Sequence, residues 1–188
     1  MIRVDYDRDN SRYTLRLRNL SIGNNSLITI KFDTGAINTV IGIRTLFKYM
    51  SINDKTKLLN AFENSGIESE PFHSASGDEL IGYPCIVHNV EISGEKVKNF
   101  CFYLIINTDR PIALLGDDFI SCCDFSHNKH EDIIINDFDD RAIYSKFLKK
   151  SSRVLELDEI VKSIDSNDKR KNEAAGFNKY VESKTGGI

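Results

Sequence analysis

Apolar and polar residues alternate singly over much of the first hundred positions. Tyr13 to Leu20 (YTLRLRNL) sets aromatic or aliphatic residues against Arg and Thr, Ser21 to Ser26 supplies turn formers, and Leu27 to Phe32 (LITIKF) alternates again. A period of two sends one face to a core and the other to solvent, so these segments predict a β-hairpin. Ile86 to Ile92 and Val97 to Ile106 predict two more strands around Ser93-Gly94-Glu95, and Phe72 to Tyr83 (FHSASGDELIGY) predicts a small-residue turn between strands. Within Ile43 to Phe62 the spacing becomes helical: Leu46, Phe47 and Met50, then Leu58, Leu59 and Phe62. Two short helices follow, the second capped by Asn53 or Asp54.

The apolar run Ile112 to Leu115 ends at Gly116, and Asp117 to Cys123 then predicts one short helix capped by an Asp. Ile133 to Ile135 and Ala142 to Tyr144 read as strands around an acidic turn at Asp137 to Asp140. From Ser145 onward the balance shifts to ten basic against seven acidic residues, with one helical stretch at about 154–164 and a Gly-ended terminus. The expected organisation is a mainly β domain over 1–144 and a charged tail over 145–188, helical around 154–164 and otherwise flexible. No internal repeat is visible at a fixed period.

The chain has 188 residues, 40% apolar and 28% charged, which suits one globular domain with an appendage. With 25 basic against 28 acidic residues, the net charge of -3 gives no broad electrostatic reason to bind nucleic acid or an acidic membrane, and neither partner is expected. No apolar run approaches the roughly 20 residues of a bilayer span, and Met1 to Asn10 alternates charges where a signal peptide would be apolar. The expectation is a cytoplasmic protein whose four cysteines, Cys85, Cys101, Cys122 and Cys123, are reduced.

The stretch that carries chemistry is Ile30 to Ile41, IKFDTGAINTVI. Asp33-Thr34-Gly35 alone would be a strand-ending turn. Its flanks change that reading: Ile28, Ile30 and Phe32 before it, with Val40 and Ile41 after it, would bury the turn, and a solvated turn needs no such setting. In this respect the sequence resembles the retropepsin-like aspartic proteases, whose active-site loop is Asp-Thr-Gly-Ala between apolar segments; Phe32 to Ile41 match it. Leu114-Leu115-Gly116, followed by Asp117-Asp118-Phe119, resembles the family's strand behind that loop. Ser74 to Ile81 is similar to its flap, so Ser74, Ala75, Ser76, Gly77 and Asp78 would cover the substrate.

The resemblance spans about Tyr13 to Tyr144. It implies a closed antiparallel β-barrel, Asp33 as the catalytic residue, Thr34, Gly35 and Ala36 as its loop, a peptide or protein substrate, and neither metal nor cofactor. Hydrolysis by a carboxylate pair needs two Asp side chains about 3 Å apart sharing one proton, because both cannot be ionised that close together. Gly35 lets the backbone approach the carboxylate and offers its N–H. One Asp-Thr-Gly, in a chain too short for two lobes of roughly 150 residues each, requires a homodimer in which Asp33 faces its own symmetry mate. Ile2 to Tyr6 and Ala142 to Tyr144 are the strands expected at that interface. A retropepsin-like module that has lost turnover and holds or dimerises with a peptide partner is the alternative.

Other constellations fit less well. Cys122-Cys123 with His127 and His130 has zinc-ligand residue types, but adjacent cysteines chelate one tetrahedral ion with difficulty. Asp5 to Asp9 begins like a calcium loop, yet Gly is missing at the sixth position and Arg16 stands at the twelfth. No Cys or His sits in a local signature of a thiol nucleophile, and Lys169-Arg170-Lys171 is diluted by Asp165, Asp168 and Glu173.

Overall fold

The computed structural model describes residues 1–18, 27–48, 50–130 and 132–164. The expected turn at 21–26 and the tail beyond 164, with Lys169-Arg170-Lys171, lie outside the described residues. The chain is mainly β. In order it forms β1 (Ile2–Arg3), β2 (Asp5–Asp7), β3 (Arg12–Arg18), β4 (Leu27–Phe32), β5 (Val40–Gly42), α1 (Ile43–Leu46), α2 (Ile52–Asn64), β6 (Glu70–His73), β7 (Glu79–Ile92) and β8 (Glu95–Ile105). Then come β9 (Ala113–Leu115), α3 (Asp117–Ile120), β10 (Cys123–His127), β11 (Ile133–Phe138), α4 (Asp140–Lys150) and β12 (Leu155–Glu156).

The alternating segments become paired strands. In the antiparallel β3–β4 pair, Leu15, Leu17, Ile28, Ile30 and Phe32 enter the core while Arg16 and Arg18 stay outside. β7 and β8 form a long hairpin whose Ser93 and Gly94 both have positive φ, 45° and 93°, as a two-residue turn matching the strand twist requires. The main sheet has nine strands, eight of them in the order β12-β7-β8-β5-β9-β4-β3-β2, with β6 paired to β7 and a further β3–β7 pairing. It is a mixed sheet, which corrects the expected antiparallel one: β4 runs parallel to β9, β5 to β8 and β12 to β7. A second sheet, β1-β11-β10, is antiparallel.

Several expectations change. Ser51, not Asn53 or Asp54, caps α2 by accepting from Asp54 N–H, and Asp54 sits in the first turn, where its charge suits the helix dipole. α3 is capped by Gly116 without a side-chain bond, its two aspartates falling inside the first turn. Ala142 to Tyr144 is helical, because Asp139 accepts from Ala142 N–H and the spacing of Ile143 and Phe147 puts both in the core. The boundary expected at 144 therefore falls inside α4, and Leu155 and Leu157 are buried in the core of the β-domain. The helix expected at 154–164 is preceded by β12 and covers 157–164 among the described residues. Ile2 to Tyr6 pairs with β11 and β3, and β1 and β2 each stand at an edge of their sheet among the described residues.

Candidate active site

Asp33 follows directly on β4, whose parallel ladder with β9 continues into the loop: Asp33 N–H donates to Leu115 O at 3.0 Å. The alternation that buries Ile30 and Phe32 turns Lys31 and Asp33 to the opposite face. Gly35 N–H donates to Asp33 Oδ1 at 3.0 Å, and Ala36 N–H closes the turn on Asp33 O at 3.2 Å. A Cβ on Gly35 would lie 3.3 Å from that same Oδ1, so glycine allows the amide to approach the carboxylate. Thr34 is exposed at the turn. Lys31 Nζ lies 3.3 Å from Asp33 Oδ2.

The segment 114–118 stands behind this loop. Asp117 N–H donates to Ala36 O at 2.8 Å and Asp118 N–H to Ile37 O at 3.2 Å. Thr39, fully buried, locks the two together: its Oγ1 donates to Asp118 Oδ1 at 2.6 Å and accepts from Gly116 N–H at 3.1 Å, while its N–H donates to Asp118 Oδ2 at 2.9 Å. Phe119 N–H adds a further donor to Asp118 at 2.8 Å. Burial holds the Asp118 carboxyl above its ordinary value, opposed by the Thr39 bonds, the Lys150 charge and the Phe119 amide. Leu115 is fully buried, Leu114 reaches the cleft, and Gly116 touches the Asn38 backbone.

Beside the loop opens a cleft of about 790 Å³. The expected site residues Gly35, Ala36, Ser74, Ala75, Ser76 and Asp78 line it, together with Leu114; Asp33, Thr34 and Gly77 are not among its lining residues, although Lys31 and Gly35 on either side of Asp33 are. That hairpin, joining β6 to β7, is held by Ser74 N–H to Asp78 O at 2.9 Å, by Asp78 N–H to Ser74 Oγ at 3.1 Å, and by Gly77 at a φ of 86°. Asn107 braces its base, accepting from Ile81 N–H and donating to Glu79 O. Arg110 Nη1, on the opposite wall, lies 3.8 Å from Asp78 Oδ2 and so spans the mouth.

Lys31, Thr39, Arg110 and Asp118 are site residues that the sequence reading did not single out. Thr39 stood in the matched loop and Asp118 beside the matched Gly, but their partnership crosses 79 positions. Among the described residues no three metal-ligating side chains converge, and Cys122 and Cys123 Sγ instead donate to the Asp118 and Phe119 carbonyls. The four thiols are unbridged. Burial pushes Cys101 and Cys123 up to about 12 and raises Cys85 as well, which disfavours the thiolate that a nucleophile needs.

No family model and no curated protein matches the chain. Among solved structures it is similar to a retropepsin-like aspartic protease from Rickettsia conorii, at 18% identity over 71% of this chain and 88% of that one, with a TM-score of 0.40.

Proposed function

We propose that the protein is an aspartic endopeptidase acting as a homodimer, in which water is activated between the Asp33 carboxylates of two copies. One observation carries this reading: a carboxylate at the end of a core strand, bonded by the Gly35 N–H and braced from behind by 115–118, opens beside a hairpin-covered cleft. The ionised member of the pair takes a proton from water while the protonated member donates to the scissile carbonyl oxygen, and the leaving nitrogen is protonated as the tetrahedral species collapses. Thr34, Gly35 and Ala36 hold the loop, Leu114, Leu115 and Gly116 back it, and Ser74 to Asp78 cover the peptide. The closed barrel belongs to the same proposal, supported by pairings that run from β7 through β8, β5, β9, β4 and β3 back to β7.

The second carboxylate has to come from a second copy, and β10 offers the edge for it. Among the described residues β10 is paired only with β11, and its Phe125, 38% exposed, meets Phe32 edge-on at 6.2 Å, one residue before Asp33. A symmetric contact there would bury an apolar ring and pair two strand edges.

A silent peptide-binding module is the second reading, favoured by Lys31, whose ammonium stands against the carboxylate that would have to meet its mate. Purified protein incubated with a mixed peptide library between about pH 4 and 7 is expected to give cuts blocked by a statine-type inhibitor. Asp33→Asn is expected to lower turnover at least about a hundredfold with the dimer intact in sedimentation. Cleavage retained in that variant rejects the assignment; a dimer that never cuts selects the module.

A further inference from the structure

We infer that the cleft selects peptides carrying an acidic side chain directly beside the scissile bond, with Lys31 as the residue that reads it. This rests on the proposed site at Asp33 and adds its substrate class. Lys31 and Asp33 are alternate residues of one chain direction and share a face, and Lys31 lines the cleft. Its ammonium lies 3.3 Å from Asp33 Oδ2, less than the roughly 3.8 Å between successive Cα atoms of a peptide. An acidic side chain next to the bond attacked at Asp33 is therefore within reach of the Lys31 ammonium.

The rest of the cleft favours the same charge. Its charged lining is Arg12, Lys31 and Arg110 against Asp78 alone, and its walls include Val40, Leu80, Ile105 and Ile112. Two of the cations already have exposed partners on the protein, Arg12 with Asp7 at 3.6 Å and Arg110 with Asp78 at 3.8 Å. Among the described residues, the one ion-pair partner of Lys31 is the carboxylate proposed for chemistry. A bound peptide excludes water from these apolar walls, so an ammonium opposite Gln or Leu loses solvation without gaining a partner, and one opposite Lys is repelled. A Glu or Asp side chain supplies the counter-charge and leaves Asp33 Oδ2 to the water. In the two-fold dimer one Lys31 lies on each side of the bond, so an acid on either side satisfies the rule.

The test uses octapeptides identical except for Glu, Gln, Leu or Lys beside the cut bond, assayed as kcat/KM. Matching hydroxyethylene isosteres, which cannot be hydrolysed, are assayed as Kd. Glu is expected to exceed Gln about tenfold in both, the advantage shrinking between about 0.05 and 0.5 M NaCl. Lys31→Met should abolish it, and Lys31→Glu should turn the preference to the Lys peptide. If the Lys31 variants do not fold, the salt series on the wild-type protein serves in their place, and a Glu preference unchanged up to about 0.5 M NaCl overturns the inference. Cleavage without a Glu preference overturns the inference and leaves the protease reading standing. Glu-selective, Lys31-dependent binding of the isosteres without cleavage of any peptide upholds the inference and overturns the protease reading. Absence of both overturns both.

Discussion

A methyl group at Gly116 would sit 2.5 Å from the carbonyl carbon and oxygen of Asn38 and 3.0 Å from Ala36 O. All three are backbone atoms, so nothing swings aside, and Gly116→Ala has to push the bracing segment off the Asp33 loop. An overpacking cost of about 2–3 kcal/mol is expected, read as a lower urea midpoint at unchanged slope. The neighbouring Asp118 answers to pH. Burial raises its folded value above the ordinary 3.8, so the folded chain holds this proton more tightly than the unfolded one. Its contribution to stability is complete below pH 3.8 and is lost as pH rises through the raised value. Asp118→Asn removes that titration and sets an amide donor against the Thr39 N–H, at about 1–3 kcal/mol. The stability gap between wild type and variant, from urea unfolding at a series of pH values, should be widest near pH 4 and narrow towards pH 7. Neither effect could be read along the chain, because Thr39 and Asp118 are 79 positions apart and each looks locally like a turn former.

Among the elements, the hairpins were the most legible, since Leu15, Leu17, Ile28 and Ile30 sit at strict two-residue spacing and one face of the strands is buried. α4 was not, because Ala142-Ile143-Tyr144 suits a strand locally and the residue that completes its apolar stripe, Phe147, lies beyond the shift to basic composition. β12 has two residues, too few for any period to register, and its place is set by its neighbour: Leu155 pairs with Cys85 and Glu156 with Ile86. A chain ending at Tyr144 would cut α4 and expose the β7 edge, so it should lose the cooperative unfolding transition. One ending at Ile164 should keep it, as thermal melts by circular dichroism would reveal. The loop at Asp33 was legible as a turn between buried apolar flanks because those flanks are contiguous, whereas Lys31 read as an outward-facing strand residue, and its place in the cleft wall came only with the fold.

At the scale of the whole molecule, β10 is the edge that the proposed dimer would use. Phe125→Glu removes the edge-on contact with Phe32 and places a charge at a partly exposed ring position, so the folded chain should melt a few degrees below wild type while keeping its cooperative transition. In the dimer reading the same change should shift sedimentation from two copies to one and remove peptide cleavage with it. A monomer at all concentrations before any substitution would reject the assembly.

β7 is bonded along its 14 residues to β6, β12, β8 and β3 in turn. Among the described residues no other strand joins so many parts of the chain, and opening it means releasing β6, β12 and the first hairpin together. The amides of Cys85 and Ile86, flanked on both sides, should accordingly be the last to take up deuterium, and their exchange rate should report global unfolding where that of the hairpin tip at Gly77 reports only its own opening.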